Sequence, residues 1–195
     1  MKNFLLDYNL KVRLPILIFV VLAVFVITYY ASYAERNGIG YQPDQPIAYS
    51  HKLHAGELKL DCRYCHSDVE KSRHANVPSA KVCMNCHTIA KKDSPEIQRL
   101  TDYYNRGVAI QWKRVHRVPD FAYFNHSVHV NKGIDCSNCH GNVADMDVVE
   151  QVKDFTMRAC IDCHENPHEN IKNIIPGKQN IQINNGPINC STCHR

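Results

Sequence analysis

Ten cysteines and twelve histidines are crowded into 195 residues, and the cysteines share one arrangement throughout. Each pair is spaced C-x-x-C and is followed at once by histidine: Cys62-Cys65-His66, Cys83-Cys86-His87, Cys136-Cys139-His140, Cys160-Cys163-His164 and Cys190-Cys193-His194. No cysteine is left over. Disulfide frameworks and zinc ribbons also use closely spaced cysteines, but neither needs a histidine directly after the second. A thioredoxin-type redox pair would come with a βαβ pattern and would not recur in this way. The spacing suits one chemistry: two thiols form thioethers with the vinyl groups of one porphyrin, and the adjacent imidazole binds the iron. The sequence therefore predicts five covalently bound haem c groups, with His66, His87, His140, His164 and His194 as proximal ligands.

Seven histidines are spare: His51, His54, His74, His116, His126, His129 and His168. They can fill five distal positions. Two protein ligands make an iron six-coordinate and low-spin, which suits electron transfer rather than substrate binding. The expectation is an electron-transfer protein with no catalytic residue, not an enzyme in its own right. Much of the 44% hydrophobic content lies in one N-terminal run or is cysteine. The remainder is too polar to fold around aliphatic side chains, so the porphyrins are expected to form the interior, wrapped by short helices and long loops. The net charge of +4 is mild and excludes a strongly basic nucleic-acid binder.

These sites need an address. Leu14 to Ala34 carries no charge, and its 21 residues would rise about 31 Å as a helix, near the thickness of a bilayer core. Pro15 sits in the first turn, and Tyr29, Tyr30 and Tyr33 collect at the far end as an interfacial belt. Lys2, Lys11 and Arg13 precede the run, which predicts a cytoplasmic N-terminus and an exported body. A retained anchor is the preferred reading. A cleaved signal peptide ending at Ser32-Tyr33-Ala34 is the alternative, and it exports the body equally.

The body repeats itself. Tyr49 to His66 and Phe124 to His140 both read aromatic, x, His, x, x, His, then a stretch ending in Asp-Cys-x-x-Cys-His. The predicted organisation is a cytoplasmic N-terminus (1–13), a transmembrane anchor (14–34), an extended linker (35–48), a dihaem module (49–110) and a trihaem module (111–195). The long gap between attachment sites carries a polar helix capped by Ser94, opened by Pro95 and stopped by Gly107. The fold class is thus a multihaem cytochrome c: one N-terminal transmembrane helix plus a mainly irregular, short-helix domain around five covalent haems.

At the two H-x-x-H…C-x-x-C-H units the chain resembles multihaem cytochromes of the c7/c3 type. That resemblance implies that the first histidine of each pair ligates the haem attached just after it and the second reaches the next haem. His51 would then oppose His66, His54 oppose His87, His126 oppose His140 and His129 oppose His164. For the last haem the family's ligand position falls in FTMRACIDCH, which offers Met157 opposite His194, with His116 and His168 as rivals. His74 reads as a surface residue. Trp112 to Gly141, followed by Met146 and Met157-x-x-Cys160, and Val77 to His87 resemble more narrowly the pentahaem cytochrome c subunit of bacterial alternative complex III. This implies an electron wire in the bacterial inner (cytoplasmic) membrane with a periplasmic haem domain. Its partners would be an iron–sulfur subunit, integral-membrane quinol-oxidising subunits, and a monohaem cytochrome c or cytochrome oxidase as acceptor. A stand-alone quinol dehydrogenase of the NapC/NrfH type is the competing expectation.

Overall fold

The computed structural model describes the backbone of residues 7–195 and the side chains of all of these but 32–37. Lys2 lies outside the described residues, and so do the side chains of Tyr33 and of the Ser32-Tyr33-Ala34 cleavage candidate. The chain divides into two compact units, 1–37 and 38–195.

The first unit is one helix, α1 (Leu14–Asn37), entered through a π-helical turn, Asn9–Arg13. Its apolar side chains are exposed on every side, from Leu14 to Tyr30. Asn9–Ala31 is long and apolar enough to cross a membrane, with a mean hydropathy of 2.6. The helix runs to Asn37, three residues past the predicted end of the anchor, and Gly38 onward belongs to the second unit.

The second unit has eight short α-helices among its described residues: α2 (Cys62–Cys65), α3 (Ala80–His87), α4 (Pro95–Arg106), α5 (His126–Asn131), α6 (Ser137–His140), α7 (Met157–Glu165), α8 (Pro167–Asn170) and α9 (Cys190–Cys193). A π-helical turn, Lys52–Glu57, precedes α2, and a 3-10 turn, Val143–Asp145, follows α6. Helix α4 has the ends its sequence predicts: Ser94 in the N-cap position, Pro95 in the first turn, and Gly107 left-handed at φ 63°.

Aliphatic packing is thin. Ile47, Ala80, Met84 and Leu100 form one cluster, joined by Trp112, and Val69, Val130 and Ile175 form another. The rest is held by polar ties between distant segments. Lys178 reaches both Glu70 and the Val130 carbonyl. The Asn138 amide donates to the carbonyls of Asp135 and Asn173, and its oxygen accepts from the backbone of Lys172 and Asn173. A unit with so few buried aliphatics needs another hydrophobic body to stabilise it.

Candidate cofactor sites

Number the five C-x-x-C-H motifs as sites 1 to 5 in chain order. Each lies in a helical turn, with Cys136 of site 3 at the N-cap position of its helix, and the i, i+3 spacing puts both thiols on one side of that turn. The aspartate before sites 1 and 3 explains why those helices start there. Asp61 accepts the amide of Arg63 at 2.8 Å, and Asp135 accepts the amide of Ser137 at 2.9 Å. The Arg63 guanidinium bonded to Asp61 holds that carboxyl down at about 2. None of the ten cysteines is paired in a disulfide, and no three described His, Cys, Asp or Glu side chains converge as a zinc site requires.

The histidines are oriented in a common way. His66 bonds through Nδ1 to the Asn76 carbonyl at 2.6 Å, His87 to Ala90 at 2.9 Å, His164 to Pro187 at 2.7 Å and His194 to Phe121 at 3.0 Å. Among the distal candidates, His54 bonds to Ser50 at 2.8 Å, His126 to Arg73 at 2.8 Å and His129 to Asn125 at 2.7 Å. A carbonyl on Nδ1 fixes the tautomer and leaves the Nε2 lone pair free for a metal. Burial lowers His129, takes His51 to about 4 with help from the neighbouring His66 and His54, and takes His140 to about 3, which keeps these three rings in the neutral, metal-binding form.

The rings also meet in pairs. The centres of His54 and His87 are 6.2 Å apart, those of His126 and His140 6.4 Å, and those of His129 and His164 6.1 Å. A first-row metal sits about 2.0–2.1 Å from an imidazole nitrogen, so two imidazoles on opposite sides of one ion have centres about 6.3 Å apart. These pairs fit an iron between them. His51 lies within electrostatic reach of His66, the fourth expected partner. The aromatic residue that opens each repeat has a task the sequence does not announce. Tyr49 meets His51 edge-on at 4.8 Å and stacks on His54 at 4.4 Å, and Phe124 does the same to His126 at 4.8 Å and His129 at 4.6 Å. One ring thus braces both histidines of its pair.

Site 5 differs. His194 stacks on the exposed Phe121 at 5.8 Å. Met157 is 66% exposed at the start of α7, one turn before Cys160, whose thiol is raised by burial and by the nearby Cys193. His168 is exposed on α8, and His74 is exposed, as expected of a surface residue. His116 sits against the proximal ring of site 3, 4.3 Å from His140 and perpendicular to it, with its Nε2 buried and unpartnered.

Five thiol pairs, each followed at once by an imidazole that in four of the five is anchored by a carbonyl, are the parts of a multihaem c-type cytochrome. Residues 47–102 and 122–195 match the family described as cytochrome c7 and related cytochrome c, and the chain belongs to that family. Covalently bound haem c is therefore its cofactor. The chain is also similar to the protein named menaquinone reductase, multiheme cytochrome c subunit, of Nitratidesulfovibrio vulgaris (strain Hildenborough). The two are 27% identical over 175 residues, covering 79% of this chain and 78% of the relative.

Proposed function

We propose that this chain is the pentahaem electron conduit of a quinone-linked respiratory complex of the alternative complex III kind. Helix α1 anchors it, with the N-terminus cytoplasmic and the body periplasmic. Electrons arrive from an iron–sulfur subunit, fed by integral-membrane quinol-oxidising subunits, and leave to a monohaem cytochrome c or cytochrome oxidase. The observation that carries this reading is the set of imidazole pairs at 6.1–6.4 Å, because two protein ligands leave an iron no open position for a substrate.

Bound haem c supplies a one-electron ferric–ferrous couple. The polypeptide does the rest. Cys62, Cys65, Cys83, Cys86, Cys136, Cys139, Cys160, Cys163, Cys190 and Cys193 would hold the five groups, and His66, His87, His140, His164 and His194 would each supply an imidazole ligand to the iron. His51, His54, His126 and His129 would supply the second imidazole at sites 1 to 4. Met157 is assigned to site 5, because its helix also carries Cys160, a neighbour of Cys193. A thioether there raises that potential relative to the imidazole-ligated sites. Met157→Ala then converts one iron from low-spin to high-spin, and an unchanged EPR spectrum rejects the assignment.

The name of the relative favours a second reading, in which electrons run the other way and reduce menaquinone. Purification from native membranes separates the two. Co-purification of an iron–sulfur subunit with quinol:cytochrome c activity supports the first, and menaquinone reduction by reduced cytochrome supports the second. Quinol oxidation by the isolated chain would instead identify a stand-alone dehydrogenase of the NapC/NrfH type.

A further inference from the structure

Each H-x-x-H element joins two sites, because its histidines are three residues apart. His51 and His54 tie site 1 to site 2, and His126 and His129 on α5 tie site 3 to site 4. The Tyr64 hydroxyl on α2 accepts from Asn85 on α3 at 3.1 Å, a second link between sites 1 and 2. Site 5 attaches to site 4: the His164 ring is held by the Pro187 carbonyl at 2.7 Å, three residues before Cys190.

The junction between the two pairs runs through site 1. The ring of His126, assigned to site 3, donates to the Arg73 carbonyl, seven residues after His66, and Ser127 donates its amide to Ser72 at 3.1 Å. Lys52 donates its amide to Met146 at 2.9 Å, and Gly56 lies directly against the Ala144 carbonyl. Helix α3, which carries site 2, packs instead on α4, Ile47 and Trp112.

We infer that the five sites form one unbranched line in the order 2–1–3–4–5, so that electrons enter and leave at sites 2 and 5. The inference rests on the pentahaem reading above and deepens it. It assigns the two partner-facing ends: the α3–α4 face at one, and the face carrying Phe121 and α9 at the other.

The test uses the haem-loaded full-length protein. Iron positions from anomalous scattering should give irons 1 and 3 as nearest neighbours, with irons 2 and 5 each having one neighbour. Iron 2 lying between irons 1 and 3 overturns the order, whereas fewer than five irons overturns the pentahaem reading itself. In solution, His54→Met and His126→Met each raise the potential of one haem, so that it is reduced before its imidazole-ligated neighbours. The added charge then lowers the potential of each neighbour. His54→Met should shift one further haem, followed by its NMR methyl resonances, and His126→Met should shift two. Two shifted neighbours in His54→Met, or one in His126→Met, overturns the proposal.

Discussion

Gly186→Ala is the sharpest probe of how this chain holds a proximal ligand. A methyl group at position 186 would stand 2.5 Å from Cγ of His164 and 2.8 Å from its Cδ2 and Nδ1. Carbon contacts normally lie at about 3.5–4.0 Å, so either the ring or the loop must move by about 1 Å. The loop is pinned. Gly186 donates its amide to the His164 carbonyl at 2.8 Å, Asn185 Nδ2 donates to Glu165 at 3.0 Å, and the Pro187 carbonyl accepts from Nδ1 at 2.7 Å. The ring therefore tilts, away from its partner His129. Overpacking of this kind costs about 1–3 kcal/mol, and a strained or lost hydrogen bond adds about 0.5–1.5 kcal/mol. At about 2–4 °C per kcal/mol for a chain this long, Tm should fall by several degrees. One low-spin EPR signal and one reduction potential should change with it. Gly177→Ala is the control. Its φ of +87° strains any side chain, but nothing lies within 4 Å of the new methyl group, so stability falls while the spectrum holds. Parental EPR and potentials in Gly186→Ala would refute the idea that this backbone contact sets the ring.

Phe124→Ala removes the ring that braces both His126 and His129, so two irons should lose low-spin character together; Tyr49→Ala should do the same at the other two sites, and EPR spin counting reads both. His116→Phe should keep every iron low-spin and its potentials close to parental, because the ring packs against His140 without ligating it. His116→Ala should lower one potential as water enters beside that ligand, and a high-spin signal in either variant would make His116 a ligand instead. Leu100→Ala empties the best-buried aliphatic position, 4% exposed, and should cost about 2–5 kcal/mol in thermal or denaturant unfolding with the haem spectrum retained.

The attachment motifs and the paired histidines are legible in the sequence because their chemistry depends on local spacing. Thiols must flank one turn, and two imidazoles three residues apart can face two different cofactors. Helix α4 is legible for the same reason, since Ser94, Pro95 and Gly107 act on their own backbone. The groups that orient the imidazoles leave no such mark. They are main-chain carbonyls of Asn76, Ala90, Arg73, Pro187 and Phe121, and every residue has a carbonyl. Gly186 is one more residue in an Asn- and Pro-rich loop until His164 is seen against it. His116 reads as a rival ligand for the last site, and only the tertiary fold brings it to His140.

The repeat in the sequence is consequently not a unit of folding. A fragment beginning at residue 111 would keep three complete attachment motifs and both histidines of α5. It would lose the Arg73 carbonyl that sets the His126 ring, the Ser72 carbonyl that holds the start of α5, and the Glu70 contacts of Lys178 and Asn131. An imidazole without its fixed acceptor can rotate or take the other tautomer, and its iron then loses a stable sixth ligand. Such a fragment, loaded with haem, should show site 3 as a mixture of spin states, and Arg73 supplied on a fragment spanning 38–110 should restore it. A uniformly low-spin 111–195 fragment would mean that the repeat carries its own ligand geometry after all.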